Sequence, residues 1–332
     1  LPTSDFRFFR NGFTHFKIVI GNEKSKMKHF ISIADTPLAE LEHVMSVAKR
    51  LKAQLKSTGR NDPILAGKTL AMIFEKPSLR TRVSFAIGMN QLGGMGLLLS
   101  RDEVGLGTRE PVKDVARVLA SMADGIMARV FEHQKLIDLS QFSKVPVINA
   151  LSDYSHPCQA LADLLTIDEH FGKLKGLTLA YIGDGNNVAR SLAVASCKFG
   201  MRFNIATPKG YELPPDDVMK IRAKMPELNV DVRATPIEAV KDADIVVTDT
   251  WVSMGQEEEK AKRVAEFKGF EIDETLMGYA PKHAIVLHCL PAYRGYEISE
   301  SVFESDRSKV FQEAENRLHA QKGILAVLMG GQ

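Results

Sequence analysis

Cysteine is scarce, with only Cys158, Cys197 and Cys289 in 332 residues. They are odd in number, far apart and never arranged as CxxC, which excludes a zinc ribbon and argues against a disulfide framework. Such usage suits a reducing, cytoplasmic compartment. The nine histidines are scattered, with no HExxH, so no metal site is inferred. An excess of one charge is also missing. Lys+Arg is 43 against Asp+Glu 41, a formal net charge of +2, and no basic tract marks a nucleic-acid partner. No apolar run approaches the ~18 residues that a membrane helix needs, which excludes a membrane-spanning chain.

What is present is ordinary globular composition, 45% hydrophobic and 25% charged, and a metal-free soluble enzyme is the class to test. The length suggests about two domains, at roughly 150 residues each. A chain of this size buries a large core without staples. Residues 1–26 stand apart, lacking helical periodicity and the apolar stretch of a signal peptide. They read as an upstream N-terminal extension or the product of a misplaced start codon, with an organelle presequence as the alternative. The stretch MKHFISIAD, from Met27, reads as a natural start.

From there helical and strand-like segments alternate. A helix over Pro37–Lys56 precedes the strands TLAMIFE (Thr69–Glu75), GLLLS (Gly96–Ser100), GIMARVF (Gly125–Phe131) and PVINAL (Pro146–Leu151), with helices between them. A helix near Gln159–His170 interrupts the rhythm. It restarts with TLAYIGD (Thr178–Asp184), RFNIAT (Arg202–Thr207), NVDVRAT (Asn229–Thr235), DIVVTDT (Asp244–Thr250) and AIVLHCL (Ala284–Leu290). A charged helix over Glu257–Phe267 and a C-terminal helix over Glu313–Leu328 complete the pattern. Strands alternating with helices predict βαβ units. The expected fold is α/β: two parallel-sheet, three-layer, Rossmann-like domains joined by interdomain helices. Ligands in such sheets sit beyond the carboxyl ends of the strands, which directs attention to those loops.

The loop after the first strand reads Glu75-Lys76-Pro77-Ser78-Leu79-Arg80-Thr81-Arg82 and opens a helix. Ser78 is an N-cap candidate, and free N–H groups at a helix start suit an anion. A capped helix with solvated arginines is the plainer alternative. Arg129 falls at the end of GIMARVF, where a second cation meets the same anion. His156 and Gln159 flank Pro157 at a helix start and offer a donor and acceptor pair to a carbonyl or amide. Gly183-Asp184-Gly185-Asn186-Asn187 invites a dinucleotide reading, but Val188 stands at the third glycine position. RFNIAT also ends without the acid that would hold a ribose, so NAD is disfavoured. Asp249, in DTWVSMGQE, offers a carboxylate to an amino acid or simply caps a helix. Cys289 in HCLP is either an activated thiolate or a buried thiol.

In order along the chain, SLRTR, ARVFEH, HPCQ, GDGNN, DTWVSMGQE, HCLP and EAENR closely resemble the motif series of the ornithine carbamoyltransferases, within the aspartate/ornithine transcarbamoylase family. The resemblance runs from Met27 to the end. It implies a carbamoyl phosphate-binding domain over 27–163, completed by a C-terminal helix over 313–332, and an ornithine-binding domain over 164–312. By the same resemblance Ser78, Leu79, Arg80 and Thr81 bind the phosphate of carbamoyl phosphate, Leu79 through its backbone N–H. Arg129, His156 and Gln159 surround the carbamoyl group, and Arg317 closes on that substrate. Asn187, Asp249, Ser253 and Met254 match the ornithine positions, and Cys289 with Leu290 lies beside the reacting centre.

Two departures stand out. Leu79 replaces the Thr of many members, and Gly105 sits where others place a Gln or His that reaches the neighbouring subunit's site. The resemblance implies direct attack of the δ-amine of L-ornithine on the carbamoyl carbon, giving L-citrulline and phosphate with no cofactor. Arg129, His156 and Cys289 are the expected catalytic residues. The step belongs to arginine biosynthesis or a urea-cycle-type sequence, in a homotrimer or higher multiple. A carbamoyltransferase for N-acetylornithine or putrescine, and a non-catalytic ligand-binding relative, are the alternatives.

Overall fold

The computed structural model describes residues 27–226, 230–252 and 257–330. The reading of residues 1–26, and the positions of Ser253 and Met254, lie outside the described residues. The first half runs α1 (Leu38–Thr58), β1 (Thr69–Phe74), α2 (Leu79–Gln91), β2 (Met95–Ser100), α3 (Arg101–Val104), α4 (Val112–Met122), β3 (Gly125–Arg129), α5 (His133–Phe142), β4 (Val147–Leu151) and α6 (Pro157–Phe171). The second runs β5 (Thr178–Ile182), α7 (Asn187–Lys198), β6 (Arg202–Ala206), α8 (Pro215–Lys224), β7 (Val230–Val232), α9 (Pro236–Val240) and β8 (Ile245–Thr248). It continues through a 3-10 turn (Glu257–Glu259) to α10 (Lys260–Glu266), α11 (Glu274–Tyr279), β9 (Ile285–His288), α12 (Glu300–Phe303) and α13 (Val310–Met329).

Among the described residues the strands form two sheets, ordered β2-β1-β3-β4 and β7-β6-β5-β8-β9. Every pairing is parallel. Parallel strands covered by helices on both faces read as unbroken apolar runs. GIMAR in β3 and TLAYI in β5 are buried throughout. By contrast, MGLLLS in β2 is only half covered, as an edge strand is. The two-sheet α/β expectation therefore holds. In each sheet the strand order reverses beside the first strand, between β1 and β3 and again between β5 and β8. Loops diverge at such points and leave a crevice.

The C-terminal helix starts earlier than its periodicity suggests, at Val310 rather than Glu313, and ends at Met329. Ser308 still bridges to Val286, and the Lys309 N–H donates to the Val286 carbonyl at 2.9 Å. The chain thus turns from the sheet directly into the helix. The helix expected over Glu257–Phe267 is a 3-10 turn followed by α10. The short helices α3, α9, α11 and α12 were not anticipated, because four to six residues are too few to display a period.

α13 packs against α1, α2 and α6 and reaches β9, so its placement sets where Arg317 stands. Contact with α1 is close enough that a Cβ on Gly323 would meet the Val44 carbonyl oxygen at 2.6 Å and Ala48 Cβ at 2.9 Å. Ala is the better helix former by about 1 kcal/mol, but the obstructing oxygen belongs to backbone that cannot swing away. Overpacking of this kind costs about 1–3 kcal/mol. Gly323→Ala is therefore expected to lower the thermal midpoint, read by circular dichroism, and an unchanged or raised midpoint would contradict the packing.

Candidate functional site

The carboxyl ends of both sheets face one cleft of about 310 Å³. On the first side, Ser78 has extended backbone (φ −161°, ψ 112°) and caps α2, its Oγ accepting from the Thr81 N–H at 3.4 Å. That leaves other N–H groups of the first turn directed at the cleft. The Leu79 side chain is 73% exposed, so its backbone is what it can offer there. Arg129 ends β3 opposite Phe74 of β1, where a β-bulge against β4 re-aims the strand. His156 caps α6 and donates its backbone N–H to Ser191 Oγ at 2.8 Å. Arg317 comes from α13, donating from Nη1 to Gln159 Oε1 at 2.7 Å and from Nη2 to Thr81 Oγ1 at 3.1 Å.

Three arginines therefore converge, with Arg129 and Arg317 buried. Burial lowers the Arg129 guanidinium to about 10, and Arg317 and Arg80 push it in the same direction. Burial, and then the same three cations, hold His156 well below the usual imidazole range. His156 is thus a neutral imidazole with one N–H to give, and its Nδ1 has no protein partner. Lys76, also on the cleft wall, is lowered by burial and by Arg129. Cations that depress one another in this way are arranged for a bound anion rather than for themselves.

The facing wall has the opposite character. Asn186 caps α7 through Oδ1, accepting from the Val188 and Ala189 N–H groups, and donates from Nδ2 to Asp249 Oδ2 at 2.8 Å. Asp249 Oδ1 accepts from the Thr250 N–H at 2.8 Å and from Cys289 Sγ at 3.1 Å. Asn187 donates to the Ser152 carbonyl at 2.6 Å. Burial, with Asp249 and Glu313 nearby, pushes the Cys289 thiol well above its ordinary value. It is a protonated hydrogen-bond donor, not an activated thiolate. Asp249, His288 and Cys289 bring one metal-ligand type of atom each within 4.8 Å of one another. His288 is engaged at both nitrogens, Nδ1 accepting from the Leu290 N–H at 2.9 Å and Nε2 facing Glu297 at 3.1 Å.

Of the residues singled out in the sequence, Ser78, Leu79, Arg80, Thr81, Arg129, His156, Asn187, Asp249, Cys289, Leu290 and Arg317 line this one cleft. Gln159 stands behind Arg317, 1% exposed. Gly105 has φ +57° at the end of α3, and a Cβ there would meet Arg109 Cβ at 2.6 Å, so the local turn holds a glycine. Sequence reasoning missed Lys76, Thr250 and Tyr293 on the wall, although Lys76 adjoins the SLRTR loop. It also missed Asp163 and Glu313, which lie one helical turn from Gln159 and Arg317. Among the described residues no helix is long and apolar enough to cross a membrane.

Residues 28–169 match the family model "Aspartate/ornithine carbamoyltransferase, carbamoyl-P binding domain", and residues 175–328 match its "Asp/Orn binding domain". The chain belongs to the aspartate/ornithine carbamoyltransferase family. An ornithine carbamoyltransferase of Nitratiruptor sp. is 50% identical over 307 residues, which cover 91% of this chain and 98% of that one. The solved ornithine carbamoyltransferase from Pyrococcus furiosus superposes with a TM-score of 0.88 at 45% identity, covering 92% and 98% of the two chains. The anabolic enzyme from Campylobacter jejuni gives 0.83 at 43%, covering 91% and 99%.

For a carbamoyltransferase-family cleft of this charge, a dianion is expected to stabilise the folded state by mass action. Inorganic phosphate should raise the thermal midpoint, and added salt should reduce the gain. Arg129→Met should reduce the phosphate effect, leaving the part due to Arg80, Arg317 and the α2 N-terminus, yet make the ligand-free protein more stable, by on the order of 1 kcal/mol, because one repelling buried charge is gone. A ligand-free variant less stable than the parent would refute the repulsion.

Proposed function

We propose that this enzyme transfers the carbamoyl group of carbamoyl phosphate to the δ-amine of L-ornithine, releasing L-citrulline and phosphate. The observation that carries the reading is the single cleft, cationic on one wall and bearing Asp249 with Cys289 on the other. Carbamoyl phosphate sits on the first wall. Its phosphate takes the α2 N-terminus at Ser78, Leu79, Arg80 and Thr81, together with Arg317. Asp249 and Asn187 hold ornithine on the second, and Ser253 and Met254 are assigned to the same substrate by the resemblance of their motif.

The neutral δ-amine attacks the carbamoyl carbon, and negative charge gathers on the carbonyl oxygen. Arg129 and neutral His156 stabilise that oxygen. A preorganised donor of this kind is worth about 3–4 kcal/mol when removed. The carbon–oxygen bond to phosphate then breaks, the departing phosphate takes the proton that the attacking nitrogen sheds, and Arg80 and Arg317 stabilise its remaining charge. Gln159, whose Oε1 already faces Arg317, accepts from the carbamoyl NH2. Cys289, a thiol bonded to Asp249, orients the amine and takes no covalent part.

Residues 27–163 form the carbamoyl phosphate half and 164–312 the ornithine half in this reading. α13 completes the first half, since it packs on α1, α2 and α6. We assign the protein to the cytoplasm, consistent with its three free thiols, and to arginine biosynthesis. A homotrimer is supported by apolar side chains left exposed along α2 and β2, among them Val83, Ile87, Met95 and Leu97. Light scattering should give three times the chain mass, and Leu97→Glu should reduce it; a wild-type monomer would contradict the assembly.

Purified protein given carbamoyl phosphate should form citrulline with ornithine, and not turn over N-acetylornithine, putrescine or aspartate comparably. Turnover confined to another amine would discard the ornithine assignments. Cys289→Ser is expected to raise the ornithine KM about tenfold while keeping most of kcat, the pattern of a lost binding contact. A carbamoyl-thioester trapped on Cys289 would overturn the orienting role.

A further inference from the structure

Behind Arg317, off the lining of the cleft, two buried carboxyls are held side by side. Asp163 of α6 and Glu313 of α13 are each 1% exposed. The Gln159 amide nitrogen donates to Asp163 Oδ1 at 2.7 Å and to Glu313 Oε1 at 2.7 Å. One amide nitrogen thus holds both buried carboxyls, and like charges so placed are relieved by a proton on one of them. Glu313 Oε2 accepts the backbone N–H of His288, next to Cys289, at 2.8 Å. Asp163 follows Gln159 by four residues and Glu313 precedes Arg317 by four, so each carboxyl lies one helical turn from the group it serves.

We propose that Asp163 and Glu313 are positioning residues, a proton-sharing carboxyl pair that fixes Gln159 and Arg317 for carbamoyl phosphate; this role rests on the carbamoyl-transfer reading above. Both amide hydrogens of Gln159 are drawn to the pair, so its oxygen must face Arg317. A flipped amide would set N–H groups against the guanidinium, donor to donor. The pair thereby locks the acceptor that the carbamoyl NH2 needs and ties α6, α13 and the end of β9 to one point.

Like carboxyls at this distance do not both ionise. Burial raises Asp163 to about 7 and lifts Glu313 well above the carboxylate range. Arg317 favours the charged form of both, Asp249 at the end of β8 opposes it at Asp163, and the Cys289 thiol also faces the pair. The pair therefore keeps a proton at neutral pH, and a second joins it as pH falls through the range to which Asp163 is raised, about 7. The singly charged state gives Gln159 its stronger acceptor, so affinity for carbamoyl phosphate should weaken as pH falls through about 7.

The test compares Asp163→Asn, Asp163→Ala and Glu313→Gln in the full-length enzyme. Asn keeps an acceptor for Gln159, donates to an ionised Glu313 and preserves the single charge. Asp163→Ala should raise the KM for carbamoyl phosphate about tenfold, with the ornithine KM within about twofold. Asp163→Asn should recover most of the loss and remove the pH step. Infrared spectra of the ligand-free wild type near pH 8 should show a protonated carboxyl band that Glu313→Gln lacks. That reading needs no turnover and stands even if Asp163→Ala fails to fold. Absence of the band would overturn the shared proton, and Asn as damaging as Ala would overturn the charge requirement. A wild type with the band but without carbamoyl transfer to any amine would overturn the positioning role while leaving the shared proton in place.

Discussion

Repulsion among Arg80, Arg129 and Arg317 is the constraint that the rest of the structure answers. Guanidiniums cannot shed their protons, so the cluster is relieved only by an anion or by moving apart, and the fold prevents the second. Arg129 is fixed by its place in β3, between β1 and β4. Arg80 rides on α2, and Arg317 is pinned by Thr81 and Gln159. The N-termini of α2 and α6 add positive potential at the same place. The ligand-free protein is therefore destabilised at the point where an anionic substrate binds, and binding energy is available for orientation and for the transition state.

Chemistry is divided between two strand-order reversals. The β1/β3 reversal collects the cations that the proposed reading gives to the phosphate and the carbamoyl oxygen. The β5/β8 reversal places Asn187 and Asp249 on the wall that the proposed reading gives to ornithine, with Asn186 holding Asp249 from behind. Each is a crevice that the topology makes by sending the adjoining loops apart. Facing them across one cleft brings an electrophile and a nucleophile together, worth several kcal/mol in positioning alone. His156 belongs to this division through its lack of charge, since a further cation would deepen the repulsion, while a neutral imidazole still donates.

The strand-end loops were legible because polar residues break apolar runs there, and the order of SLRTR, HPCQ and HCLP along the chain is specific. Legible too were the sheets, since TLAMIF and GIMAR carry no helical period. Contacts between distant segments were not. Nothing near Gln159 in sequence announces that its amide hydrogens meet Glu313, 154 residues on. Nor does HCLP itself separate an activated thiolate from a buried thiol. That choice depended on Asp249, which accepts from Cys289 across 40 residues. Nor does GDGNN announce that Asn186 caps α7 and holds Asp249, 63 residues on.

The corner after β9 shows how such distant contacts become precise placement. Leu290 adopts φ +59°, the left-handed region that a branched side chain avoids, at a cost of about 1–3 kcal/mol. Such a conformation persists only if its surroundings over-determine it. His288 Nδ1 accepts the Leu290 N–H, its Nε2 is held by Glu297, and its own backbone N–H is taken by Glu313. Glu297 also accepts the Tyr293 N–H at 2.6 Å, closing the far side of the turn. Cys289 lies between two residues so held, and its thiol has little freedom but to face Asp249. One histidine, buried and with no chemical step of its own, thus couples the carboxyl pair behind the arginines to the amine side of the cleft.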